Sequence, residues 1–124
     1  IKNTAELAIK SENNNLKEMG ELLFKSLDII EDCIVWLIDK YEESPEISAA
    51  GATPFLNMFG WILGGWVMLD SAKKSQLIIL KDNNNKFAKE KINTASFFCN
   101  TYLPLASSLE NTIKKSFYAL ENFN

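Results

Sequence analysis

The chain has 124 residues, 47% hydrophobic and 23% charged, with 13 basic against 16 acidic side chains and a formal net charge of -3. That is the balance of one self-sufficient globular domain, which at this size buries about two-thirds of the surface its unfolded chain exposes; it excludes a disordered chain and a basic, nucleic-acid-coating one. Every one of the 13 basic residues is Lys and there is no His, which removes Ser-His and Cys-His nucleophile pairs, His metal ligands and the bidentate Arg fork for phosphate or carboxylate.

Asparagine clusters and prolines punctuate long stretches of helical periodicity with almost no β-branched alternation, so the chain reads as all-α. Residues 1–15 read as a connector: a short helix from Asn3, with Glu6 three residues on to cap it, detached from the next helix by Asn13 to Asn15. Alone it is too short to be stable. The chain opens at Ile1 with no charged-then-apolar leader, which is expected of a processed or excised piece of something longer.

The first long helix is expected over about 16–43, with Leu23, Leu27, Ile30, Ile34, Leu37 and Tyr41 as a seam of alternating four and three spacing. Asp28, Glu31 and Asp32 could be imagined as a paired-carboxylate site, but a solvated helix face accounts for them and they are assigned no chemistry.

The second helix, about 53–80, is expected to open with Thr53 as N-cap and Pro54 at the first helical position. It is apolar nearly all round, which predicts the most buried helix of the fold. Its uninterrupted apolar run from Trp61 to Leu69 is short of the ~20 residues a bilayer requires, so no membrane span is expected. Gly60, Gly64 and Gly65 each cost a helix up to ~1 kcal/mol relative to alanine. Close approach of another helix explains them; a phosphate cradle would require them in a loop between a strand and a helix.

The third helix is expected over about 86–103, with Ala88, Ile92, Ala95, Cys99 and Tyr102 on its seam, and Pro104 kinks or ends it. Ser107 and Glu110 then make a capping box for a last helix, about 105–121, striped by Leu109, Ile113, Phe117 and Leu120. The architecture expected for 16–124 is an antiparallel four-helix up-down bundle. Cys33 and Cys99 read as buried reduced thiols, which places the chain in a reducing, cytoplasmic compartment.

The run Ala52-Thr53-Pro54-Phe55-Leu56, with Phe59-Gly60 and Gly64-Gly65-Trp66 after it, resembles the extra C-terminal domain of a subgroup of bacterial acyl-CoA dehydrogenases, called acetyl-CoA-dehydrogenase-like. Lys91 to Phe98 and Leu103-Pro104 resemble the Lys-x-x-Thr-Ala-x-Phe-Phe and Leu-Pro stretch found next along those proteins, and the likeness covers about residues 16–115. It implies an accessory domain of an FAD-dependent oxidoreductase of fatty acid metabolism. There a glutamate takes the α-proton of an acyl-CoA thioester and FAD accepts the β-hydride, both in domains upstream. This chain is then expected to hold no catalytic residue, cofactor or metal of its own. Its partners are the upstream catalytic domains or a second copy, with no nucleic acid and no membrane. Phe55, Phe59, Trp61 and Trp66 are the interface anchors if they face outward, and core residues otherwise. Two other readings stay open: a free-standing helical module that binds an apolar ligand or partner helix, and a membrane-associating hairpin built on the Trp-rich helix.

Overall fold

Five helices and no strand make up residues 1–116, those that the computed structural model describes: α1 (Lys2–Ile9), α2 (Asn14–Glu43), α3 (Pro45–Ala50), α4 (Ala52–Lys81) and α5 (Lys86–Lys115). The asparagine clusters act as caps. The Asn13 side chain accepts from the Leu16 N–H at 3.2 Å and that of Asn85 from the Ala88 N–H at 2.9 Å, each satisfying a donor that the first turn of a helix leaves open. Asn13 also donates to Gln76 at 3.2 Å, so this turn ties α2 to α4.

Side-chain pairs give the helix directions. Trp61 stacks on Tyr102 with ring centroids 4.5 Å apart and Phe98 lies over Gly64, so α4 and α5 are antiparallel. Asn13 with Gln76 at one end and Leu37 against Gly51 at the other make α2 and α4 antiparallel too. The core is built from Leu23, Leu27, Ile30 and Cys33 of α2, Met58, Ile62 and Leu69 of α4, and Ile92, Cys99, Leu103 and Ile113 of α5. Ala5 and Ala8 of α1 belong to the same cluster, so α1 is packed and not detached.

Several expectations are corrected. Pro104 neither ends nor sharply divides the helix: α5 is continuous from Lys86 to Lys115, and the separate helix over 105–121 does not form within the described residues. The carbonyl that Pro104 leaves without a donor is that of Asn100, and both residues are exposed, so water can serve it. Meanwhile Cys99, Leu103, Ala106 and Ile113 form one buried stripe across the proline, and that burial outweighs the local break. Ser107 and Glu110 consequently sit inside a helix and cap nothing. Phe117 and Leu120 lie outside the described residues. At its start α4 takes Gly51 as N-cap, with no side-chain bond from Thr53, because the chain enters directly from α3 at Gly51, where an added Cβ would stand 3.0 Å from the Leu37 side chain and the Ile113 carbonyl oxygen. Nor does Glu6 cap α1, whose N-cap is Ile1.

The seam of α2 is as expected through Ile30 and then drifts: Cys33 is buried, whereas Ile34 and Tyr41 are exposed. A straight helix turns about 20° per heptad against a strict seven-residue repeat, which rotates those two residues off the core.

Candidate functional site

The glycines of α4 part company. An added Cβ at Gly64 would stand 2.6 Å from the Phe98 ring and one at Gly65 2.7 Å from the Leu103 side chain, so both admit a close approach of α5. Gly60 is exposed, and no described residue lies within 4 Å of where its Cβ would stand. A further tight contact escapes a reading of the sequence: at Gly20 an added Cβ would be 2.8 Å from the Ala5 carbonyl oxygen and from the Ala8 Cβ. A lone glycine in α2 carries little signal, although the small pair Ala5 and Ala8 on α1 is its counterpart.

Of the four proposed anchors, Phe55, Trp61 and Trp66 are half-buried and pack on the core. Trp61 stacks on Tyr102, itself 4.8 Å from Phe98 between ring centroids, and the Trp66 indole donates to the Thr4 hydroxyl at 3.2 Å. Phe59, stacked on Phe55 at 6.4 Å, is 40% exposed and does face outward.

Phe59 belongs to a larger feature. Helix α4 buries Met58, Ile62, Gly65, Leu69 and Ala72 along one side, but Leu56, Phe59, Val67, Leu77 and Ile78 are exposed on the other. It is therefore not the most buried helix: apolar on all sides, it has protein on only part of its circumference. By length and composition alone it is long and apolar enough to cross a membrane, with 22% of its most apolar 18-residue window buried. From Phe55 to Leu69 this helix carries no charge, and Gly60 lies open in the middle of that stretch. The uncharged stretch of exposed apolar residues from Leu56 to Val67 is a candidate interaction surface.

The titratable groups offer no competing centre. Asp28, Glu31 and Asp32 are exposed; Glu31 pairs with Lys2 at 2.9 Å and Asp32 with Lys114 at 3.2 Å. Glu31 holds the Lys2 ammonium above its usual range. Burial opposes the Lys114 charge, but the hydrogen bond to Asp32 and nearby Glu110 raise it overall. No cluster of metal-ligating side chains occurs among the described residues. The N-termini of α2 and α5 are taken by their own asparagines, and the space at Gly64 and Gly65 is filled by Phe98 and Leu103.

Cys33 and Cys99 are both free and buried. The Cys99 thiol donates to the Gly65 carbonyl at 3.8 Å, and burial pushes it up to about 12; burial pushes the Cys33 thiol up as well. A thiol that stays protonated is a packing residue and a poor nucleophile. The unfolded chain releases this proton near pH 8.5. Between there and about 12 the folded state holds the proton that the unfolded state has lost, so stability falls as pH rises. The Cys99→Ala variant should lack this component. The difference in unfolding free energy between wild type and variant, from urea titrations at pH 8, 9.5 and 10.5, is expected to change by up to about 1.4 kcal/mol per pH unit above 8.5. A pH-independent difference would show that Cys99 ionises freely.

Three helices of 30 residues and an accessory α1 thus define an all-α domain with an outward apolar face. The family described as acetyl-CoA dehydrogenase C-terminal like matches residues 1–120, and the chain belongs to that family. Searches of the curated proteins and of the solved structures return no match.

Proposed function

We propose that the chain is an accessory C-terminal domain of an FAD-dependent acyl-CoA dehydrogenase, non-catalytic in itself, which packs through α4 against the catalytic domains or a second subunit. Family membership supports the kind of enzyme. The observation that carries the packing role is the uncharged outer face of α4 with Leu56, Phe59 and Val67 exposed around an open Gly60. In this reading flavin and the catalytic base belong to the rest of the enzyme, the bundle reinforces an interface, and the enzyme works in the cytoplasm on fatty acyl thioesters.

The same face could be offered to a bilayer. Against that stands the exposed ion pair of Asp70 with Lys74, 2.9 Å apart, which flanks the apolar stretch along α4; a protein interface leaves such a pair at its wet rim, whereas hydrocarbon would have to strip it.

Three measurements test the proposal, the third being flotation with liposomes, which should leave the chain unbound. An antibody raised against the chain should detect a product several times heavier than 14.0 kDa in a lysate of the source organism. Titration of the isolated chain with FAD should give no stoichiometric binding. A product near 14 kDa, stoichiometric flavin on the chain alone, or co-flotation with liposomes of anionic and neutral lipid would each overturn it.

A further inference from the structure

Helix α1 covers only half of the furrow between α2 and α4. Ala5 and Ala8 rest on Gly20, Lys2 reaches Glu31 at 2.9 Å, and Thr4 accepts from the Trp66 indole at 3.2 Å. So α1 runs antiparallel to α2, and its first turn stands level with Glu31 and Trp66. Beyond that level the stripes on which α1 sits continue with several of their residues exposed among the described ones. On α2 they pass through Ile34, Ile38 and Tyr41, spaced by four and three and 38%, 60% and 62% exposed. On α4 they pass back from Trp66 to Phe59 and Phe55, spaced by seven and four. These spacings keep each set on one helix face. At the mouth of the open half lies Ile1, exposed, four residues before Ala5 and so on the face of α1 that Ala5 and Ala8 bury.

We infer that in the parent enzyme the residues immediately preceding Ile1 continue α1 as a helix along this furrow, over Ile34, Ile38, Tyr41, Phe55 and Phe59. This rests on the reading of the chain as one domain of a longer enzyme. Continuity favours this occupant: the furrow is the unfilled remainder of an interface that α1 already makes, on the same two helices and in the same direction. From Glu31, level with the first turn of α1, to Tyr41 is roughly 15 Å along α2, which about ten residues of helix would span. The segment would carry apolar residues about four, seven or eight, and eleven positions before Ile1, in step with Ile1, Ala5 and Ala8. A helix held in the same chain meets its groove at high effective concentration, so a modest apolar area is enough to seat it.

The test is made on the whole enzyme, by maleimide labelling of cysteines placed one at a time at Ile38, Tyr41 and Phe97. Each is compared between the enzyme with its native upstream segment and the enzyme whose ten residues before Ile1 are replaced by a Gly-Ser linker of equal length. Cys33 and Cys99 are buried and supply a constant background. Ile38→Cys and Tyr41→Cys should react at least tenfold faster in the linker enzyme, while Phe97→Cys, on the exposed side of α5, should react at one rate in both. Fast labelling at Ile38→Cys in both enzymes would overturn the inference, and slow labelling in both would do so as well, by assigning the furrow to another domain or a second subunit. A natural product with no upstream segment would instead overturn the proposed function itself.

Discussion

Alanine placed at Gly20, Gly65 and Gly60 should move stability in two directions, and the spread should be about 3 kcal/mol. Every such change gains up to ~1 kcal/mol of helix propensity, and overpacking a close contact costs ~1–3 kcal/mol. At Gly20 the new methyl meets the Ala5 carbonyl and the Ile9 amide nitrogen at 2.8 and 2.9 Å, and backbone cannot rotate away, so α1 itself has to lift. The expected net loss is about 2 kcal/mol. Because Trp66 would then lose its bond to Thr4, its fluorescence should shift to the red in the same variant. At Gly65 the obstacle is the fully buried Leu103, with little room to yield, and a net loss of about 1 kcal/mol is expected. Gly64→Ala should be near neutral, since the half-buried Phe98 ring can swing aside. At Gly60 nothing is met, and the isolated chain should gain up to ~1 kcal/mol. Urea midpoints of the four variants check this; a destabilised Gly60→Ala chain would mean that two copies already meet there in solution.

Those glycines also show what the sequence could convey. Three glycines within six positions of one helix demand a close neighbour, and for Gly64 and Gly65 that neighbour is present. The pattern cannot say whether the neighbour of Gly60 lies within the chain or outside it, because apolar spacing records which faces avoid water and not what covers them. The same limit explains α4. Its all-round apolarity points to full burial, and the structure shows one face buried and another left for something else. Helix existence is legible throughout: α2, α4 and α5 match strong periodic stretches, and the polar turns at Asn13 and Asn85 fall where asparagines cluster. A strict four-three pattern puts Ile34 and Tyr41 in the core because it ignores the slow rotation of a straight helix. Their exposure is what opens the furrow beside α1. The acidic trio of α2 reads as a solvated face, and the ion pairs that Glu31 and Asp32 make there are exposed and worth little, ~0–1 kcal/mol each.

Pro104 supplies the second large effect. Read locally, a proline at this position forfeits one backbone hydrogen bond and strains the preceding turn by ~3 kcal/mol, reason enough to expect two helices. Yet the buried stripe of Cys99, Leu103, Ala106 and Ile113 runs straight across it, and separating α5 into two pieces would turn part of that stripe away from α2 and α4. Burial of side chains of this size is worth ~1.5–3 kcal/mol each, so two large ones already outweigh the proline. The fold therefore tolerates the residue without being optimised around it. Pro104→Ala should restore the bond from residue 104 to the Asn100 carbonyl and raise stability by about 1–3 kcal/mol, read as a higher urea midpoint with an unchanged slope. Since Pro104 is exposed on α5 and α1 packs on α2 and α4, the gain should not depend on α1. A loss of stability would mean that α5 bends at this point to fit α4, and that the stacking of Trp61 on Tyr102 depends on the bend. The intrinsic fluorescence of Trp61 in the variant separates the two outcomes: it should be unchanged if α5 merely tolerates its proline, and altered if the proline shapes the α4 and α5 contact.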